Sequence, residues 1–194
     1  MAAKPGERKL QILQTVAQML EQPKGEKITT AALAARLELS EAALYRHFAS
    51  KAQMFEGLID FIEQTVFGLI NKITQEEKSG LQQVEAMVAM LLGFAQKNRG
   101  MTRVLIGDAL VNEDERLQQR INQLLDRIEA TLKQSLRMAA TQGEMGAAAD
   151  VGMYANLLVC YVIGRWQQFA KSGFTRDPMA QWPAQSAILL NRNN

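Results

Sequence analysis

Residues 28–51 decide the fold, and they read I-T-T-A-A-L-A-A-R-L-E-L-S-E-A-A-L-Y-R-H-F-A-S-K. Thr29 or Thr30 can cap one short helix and Ser40 a second, because a side-chain hydroxyl accepts a hydrogen bond from an N–H group that the first helical turn leaves unpaired. Ser50 can cap a third, much longer helix. Two short helices separated by a tight turn predict a helix-turn-helix, whose second helix enters the major groove when such a motif binds DNA.

The second short helix has two different faces. Leu44 and Phe48 are four residues apart and are expected to face the core. The opposite face carries small or hydrogen-bonding side chains at helical spacing, namely Ala42, Tyr45, Arg46 and Ala49. Small alanines allow the helix to approach a groove closely and can touch a thymine methyl group. The Tyr45 hydroxyl can bind phosphate, and Arg46 can reach phosphate or guanine.

Two residues near the end of this helix extend the expected DNA surface. Lys51 and the first-turn N–H groups of the long helix form an anion site suited to phosphate. His47 can either pack at the edge of the core or contact DNA, and no metal site is expected around a lone histidine. The residues expected to contact DNA are Thr29, Thr30, Ser40, Ala42, Ala43, Tyr45, Arg46, His47 and Lys51.

The composition limits the possible classes of function. The chain has 194 residues and a net charge of +2, so DNA binding must come from a local patch. The single Cys160 excludes an internal disulfide, and its apolar neighbours predict a buried thiol. No segment is apolar enough to span a membrane or to act as a signal peptide, which predicts a cytoplasmic protein. No catalytic residue set, Gly-rich phosphate loop or metal-ligand spacing occurs, so neither an enzyme nor a cofactor is expected.

Helical periodicity continues through the rest of the chain, which predicts an all-α protein. The long helix from Ser50 should reach about Lys78, with Leu69 on its apolar side. A turn is expected at 98–100. The other helices are expected over 7–21, 81–97, 113–138, 150–171 and 179–190. The predicted organisation is a DNA-binding domain over 1–49 and a helical dimerisation and partner-binding domain over 50–194.

The stretch 28–51 resembles the DNA-binding module of the TetR family of bacterial regulators. Three segments of the body resemble the nucleoid occlusion factors, an atypical branch of that family. These segments are K-A-Q-M-F-E-G-L-I-D-F-I-E (51–63), L-L-G-F-A-Q-K-N-R-G-M-T-R-V-L-I-G-D-A-L (91–110) and R-I-N-Q-L-L-D-R-I-E-A-T-L (120–132). The resemblance implies a TetR-like fold with a three-helix N-terminal module and a larger helical body.

The resemblance also implies partners. TetR-type proteins form two-fold homodimers through their last two long helices, and such a dimer binds double-stranded DNA at a palindromic site. The nucleoid occlusion branch binds chromosomal DNA and, in that state, the C-terminal tail of the division GTPase FtsZ. It thereby antagonises FtsZ polymerisation and blocks septum formation over the nucleoid. The protein is accordingly expected in the cytoplasm, associated with the nucleoid.

In that branch, the groove for the FtsZ tail lies between the fourth and fifth helices. The matching positions in this chain are Phe61, Leu69, Met90, Gly93, Lys97 and Asn98. Gly93 would leave room for a peptide backbone, and Lys97 could meet an acidic tail. The family usually has arginine at the positions of Leu69 and Lys97. It usually has glycine at the position of Glu38, where a left-handed backbone would cost a side chain about 1–2 kcal/mol.

Two alternatives use the same helices differently. A ligand-responsive TetR-type repressor would bind an effector in the body and change the distance between its recognition helices. Such a pocket would have apolar and aromatic walls, drawn from Met87, Met90, Phe94, Met101, Tyr154 and Trp166. Methionine-rich helices are nevertheless more often adaptable core than pocket walls. A helical protein-interaction module that does not bind DNA is the second alternative.

Overall fold

The computed structural model describes residues 5–22, 28–146 and 149–190. Within these ranges the chain contains helices and no strand, which confirms the predicted all-α class. The helices are α1 (Pro5–Leu20), α2 (Thr30–Arg36), α3 (Glu41–Tyr45), α4 (Lys51–Glu76), α5 (Gly80–Lys97), α6 (Arg99–Leu105), a 3-10 helix (Asp108–Leu110), α7 (Glu115–Thr141), α8 (Val151–Lys171) and α9 (Trp182–Leu189). None of these described helices is both long and apolar enough to cross a membrane.

The chain divides into two compact units. The first contains the described residues up to Ile62 together with Asn98–Ile121, and the second contains Glu63–Lys97 and the described residues from Asn122 onward. Helices α4 and α7 each contribute residues to both units. The sequence predicts a different division, into domains over 1–49 and 50–194, and that boundary stays a prediction.

The core of the first unit forms where α1 packs against α2 and α6. Ile12, Leu33 and Val104 are fully buried there. Gly100 lies so close to the backbone of Ala17 that a methyl group in its place would overlap the Ala17 carbonyl oxygen. This close approach of two helices explains why a glycine is needed at position 100.

In the second unit, α5 packs against α8. Trp166 of α8 is almost fully buried, and its indole N–H donates a hydrogen bond of 3.1 Å to the carbonyl oxygen of Leu91. The hydroxyl of Ser135 donates to the side-chain oxygen of Gln83 at 2.7 Å, and the Gln83 amide donates to the carbonyl of Thr74 at 3.2 Å. These buried polar groups are satisfied, as a stable core requires.

Three expectations about the body are wrong. The turn expected at 98–100 is the start of α6, which begins at Arg99. Cys160 is exposed, because it lies on the face of α8 that the described chain does not cover. Leu69 is 39% exposed instead of facing the core. The bounds of the remaining predicted helices agree with the structure to within a turn.

Candidate nucleic-acid interface

The turn between α2 and α3 is closed by backbone hydrogen bonds. The N–H of Glu38 donates to the carbonyl of Ala35 at 3.1 Å, and the N–H of Leu39 donates to that of Ala34 at 2.9 Å. This pair of bonds is a Schellman motif, which requires a left-handed residue just beyond the helix. Glu38 occupies that position with a φ of 55°. The left-handed backbone that the family resemblance suggests for Glu38 is therefore present.

Helix α3 begins after Ser40, whose hydroxyl accepts a hydrogen bond of 3.1 Å from the N–H of Ala43. Leu44 is fully buried and Phe48 is 7% exposed, so this side anchors the helix in the core as predicted. Ala42 and Tyr45 of α3 are exposed, as are Arg46 and Ala49, which lie just beyond the end of the helix. The predicted separation of buried from exposed side chains is confirmed, but the helix itself ends at Tyr45, before Arg46, Phe48 and Ala49.

Thr29 and Thr30, both predicted to contact DNA, have different hydrogen-bond partners in the structure. Thr29 caps α2 by accepting a 3.1 Å hydrogen bond from the N–H of Ala32, which confirms the predicted cap. Thr30 instead donates its hydroxyl hydrogen bond to the Oε2 atom of Glu41, at 2.6 Å. Ala43 and His47 are only partly exposed. The expected contacts of these residues with DNA stay predictions.

Helix α4 starts with a well-satisfied cap. The hydroxyl of Ser50 accepts a hydrogen bond of 3.1 Å from the N–H of Gln53, as predicted for a capping serine. The Gln53 side chain accepts a hydrogen bond of 2.8 Å from the N–H of Ala49. This reciprocal arrangement resembles a capping box.

Lys51 has a partner that the sequence does not predict. Its ammonium group is ion-paired with the carboxylate of Glu113, and the two side chains are only 21% and 12% exposed. The lysine Nζ also lies 5.7 Å from the centre of the Phe55 ring. The ammonium group that is predicted from the sequence to bind a phosphate is therefore paired with a carboxylate of the same chain.

Glu113 lies in the short connection before α7. Asn112 has a left-handed φ of 65°, and Asp114 accepts a hydrogen bond of 2.6 Å from the guanidinium of Arg116. That hydrogen bond lowers the pKa of the Asp114 carboxyl to about 2. Sequence reasoning misses Glu113 because its ion pair with Lys51 joins residues 62 positions apart. No local spacing signals such a contact.

The positions that match the FtsZ groove divide between the two units. In the second unit, Leu69 and Lys97 are exposed, and Met90 and Gly93 are half-buried. A side chain added at Gly93 would meet no other atom within 4 Å. In the first unit, Phe61 is 39% exposed and Asn98 is half-buried.

The residues proposed for an effector pocket do not share one environment. Met87, Phe94 and Trp166 are buried in the second unit, Met90 and Tyr154 are half-buried there, and Met101 belongs to the first unit. A surface cavity of about 420 Å³ on the second unit is formed by other residues. It is lined by Gln167, Gln168, Lys171, Ser172 and Arg176. An effector pocket at the predicted residues stays a prediction.

Solved structures with the same fold are bacterial regulators. The fatty acid degradation regulator FadR from Bacillus halodurans matches with a TM-score of 0.79 at 15% identity, covering 100% of this chain and 99% of its own. The MbdR regulator from Azoarcus sp. CIB matches with a TM-score of 0.77 at 14% identity, covering 93% and 95%. At these identities the likeness concerns the fold alone.

Sequence comparison places the chain more narrowly. Residues 17–58 match the family model for bacterial regulatory proteins of the tetR family, and residues 78–194 match the SlmA-like model of the tetracyclin repressor-like C-terminal domain. The nucleoid occlusion factor SlmA of Alteromonas mediterranea is 50% identical over 186 residues, covering 96% of this chain and 95% of the relative. SlmA of Marinomonas sp. is 49% identical over 189 residues, covering 97% and 96%. The chain therefore belongs to the TetR family and, within it, to the SlmA family of nucleoid occlusion factors.

Proposed function

We propose that this protein is a nucleoid occlusion factor, a homodimer that binds a palindromic DNA site and, while bound, captures the tail of FtsZ. The exposed face of α3 is the observation that carries the DNA-binding part. Ala42 and Tyr45 lie on that face, and the exposed residues Arg46 and Ala49 follow directly after the helix. This face lets the helix backbone approach base edges while the two longer side chains bind phosphate.

The dimer is supported by an apolar stripe on α8. Met153 is 57% exposed and Leu157 is 44% exposed, and they share one helix face with the exposed residues Cys160 and Gly164. These positions follow a helical spacing of four, three and four residues. A second copy of the chain is the proposed cover of this stripe, since it is continuous along a helix that the family uses for pairing.

Light scattering of purified protein tests the dimer. We expect the wild-type protein to have the mass of a dimer, twice that of a single chain. In Leu157→Glu the measured mass should fall towards that of the monomer, because a buried unpaired charge opposes association. Val111→Glu is the matched control, since Val111 is 65% exposed and lies in the other unit. A second readout is the thiol of Cys160, which should react slowly in the dimer and rapidly in the Leu157→Glu variant. Equal masses for all three proteins would contradict this interface.

The part of the proposed FtsZ surface that lies in the second unit suits an acidic peptide. Leu69 offers exposed apolar area on α4, and Lys97 offers a positive charge at the end of α5. Gly93 has open space above its backbone, which allows a peptide to approach the helix closely. An acidic peptide with apolar side chains would be complementary to these three positions.

The test is fluorescence anisotropy of a labelled peptide with the FtsZ C-terminal sequence, measured with and without a duplex that the protein binds. We expect saturable binding that Gly93→Trp abolishes, because the indole would occupy the open space. Gly146→Trp is the matched control: Gly146 is exposed, and a side chain there also meets no atom within 4 Å.

The outcomes separate the main function from its alternative. Binding that is lost in Gly93→Trp and kept in Gly146→Trp supports a DNA-bound division inhibitor. Equal loss in both variants would contradict the groove. If the folded wild-type dimer binds DNA but no peptide, the ligand-responsive repressor becomes the better explanation.

A further inference from the structure

Glu41 is an acidic residue on a surface proposed to face DNA. It is the first residue of α3, and its side chain is exposed. A carboxylate at such a position is repelled by phosphate, so it lowers the affinity for DNA of any sequence. Within duplex DNA, the base edges are the part that offers hydrogen-bond donors to such a carboxylate.

The carboxylate of Glu41 is held in place by a neighbouring helix. The Thr30 hydroxyl, at the start of α2, donates a hydrogen bond of 2.6 Å to Oε2. The other oxygen, Oε1, accepts no hydrogen bond from any residue that the structure describes. One oxygen thus orients the carboxylate, and the second is available as an acceptor.

We propose that Glu41 is a specificity-determining residue that reads a cytosine in each half-site, with Thr30 as the residue that positions it. An ionised carboxylate only accepts hydrogen bonds. In the major groove, the amino group of cytosine is the donor with which glutamate pairs. The first residues of a recognition helix are those that reach base edges. This inference rests on the proposed DNA binding and adds a base preference to it.

The neighbouring residues fit this assignment. Ala42 and Ala43 follow Glu41 and have no side chain long enough to block its approach to a base. Ser40 uses its hydroxyl oxygen to cap α3, which fixes the backbone from which Glu41 extends. A carboxylate whose backbone is fixed and whose one oxygen is hydrogen-bonded discriminates between nucleobases better than a freely rotating one.

The experiment is a selection of bound duplexes from a random-sequence library, carried out with the full chain and followed by sequencing. We expect wild-type protein to enrich cytosine at one position of each half-site. In Glu41→Gln this position should change to adenine, because glutamine pairs with the amino group and N7 of adenine. The preference at that position should change by roughly tenfold, the size of one good base contact.

Two variants of Thr30 test the positioning role. Thr30→Val has nearly the same shape without the hydroxyl, and we expect it to weaken the cytosine preference while other positions keep theirs. Thr30→Ser keeps the hydroxyl and should restore the preference. A purely structural role for Thr30 would change the melting temperature without changing any base preference, and that result would overturn the assignment.

The failures of the two proposals are distinguishable. If wild-type protein enriches no sequence, the proposed site-specific DNA binding itself is wrong. If it enriches a palindrome that is identical in Glu41→Gln, only the inference about Glu41 is overturned. A uniform rise in affinity of Glu41→Gln for all sequences, without a change of preference, would also overturn it, because the carboxylate would then act by repulsion alone.

Discussion

The ammonium group of Lys51 and the carboxylate of Glu113 form an ion pair that joins the start of α4 to the connection before α7. Lys51 is also a proposed phosphate contact. A phosphate and the Glu113 carboxylate are both anions, so they compete for the same cation. The stronger this ion pair is, the more it weakens the binding of phosphate by Lys51.

We expect Glu113→Gln to tighten DNA binding by at least about threefold, because an exposed ion pair is worth about that much and this pair is more shielded from solvent. The gain should be equal on specific and random duplexes, because a phosphate contact carries no sequence information. The measurement is a gel-shift or anisotropy titration at fixed salt, since phosphate contacts weaken steeply as salt rises.

The matched control for this prediction is Glu115→Gln. It removes the same charge two residues away, at an exposed position in the first turn of α7. An equal gain in both variants would mean that general repulsion, not competition for Lys51, limits binding. Weaker binding by Glu113→Gln would mean that Glu113 holds the lysine in a productive position.

A second prediction concerns the left-handed residue in the turn. Glu38→Gly should raise the free energy of unfolding by about 1 kcal/mol, because glycine adopts a positive φ without the steric cost that a side chain pays. Urea unfolding at matched protein concentration measures the change, and Glu38→Ala is the control because it keeps a Cβ atom. If alanine stabilises as much as glycine, the effect comes from the lost charge and not from the backbone.

The helix-turn-helix is predictable from sequence because its signals are local. Thr29, Ser40 and Ser50 each accept a hydrogen bond from an N–H group three residues further on, so their hydroxyl groups mark the helix starts, apart from the choice between Thr29 and Thr30. Leu44 and Phe48 follow helical spacing and are buried as expected. Caps and periodicity together fix the three elements without any long-range information.

The body shows where such reasoning fails. Cys160 has the apolar neighbours of a core residue, yet it is exposed. In the proposed dimer this face would pair with a second chain, and the centre of such an interface is as apolar as a core. Gly100 suggests a turn, but it lies inside α6, where the close approach of Ala17 excludes a side chain. Both predictions fail because local composition does not reveal which residues distant in sequence lie next to a side chain.

A third prediction addresses the proposed FtsZ surface. Leu69→Arg should tighten binding of the acidic tail peptide by about twofold to fivefold, as one exposed ion pair does. The gain should shrink at high salt, because exposed charges are screened. Leu69→Gln is the control. It removes the apolar side chain without adding a charge, so it distinguishes the effect of the positive charge from that of a polar side chain. Equal affinities of the arginine and glutamine variants would show that position 69 meets no acidic group.

The last prediction tests the packing that supports the helix-turn-helix. Gly100→Ala should lower the free energy of unfolding by about 3 kcal/mol, because the added methyl group would overlap the carbonyl oxygen of Ala17 and force α1 and α6 apart. Gly68→Ala is the matched control. It lies on the exposed side of α4, where a methyl group meets no atom within 4 Å.

The control should stabilise the protein by about 0.5–1 kcal/mol, the usual gain when alanine replaces an exposed helical glycine. Opposite signs for two identical substitutions would demonstrate that the contact with Ala17, and not helix propensity, decides the outcome at Gly100. Both variants are compared by urea unfolding at one protein concentration, because the stability of the proposed dimer would depend on concentration. If Gly100→Ala is as stable as Gly68→Ala, α1 and α6 do not pack as closely as the structure has them.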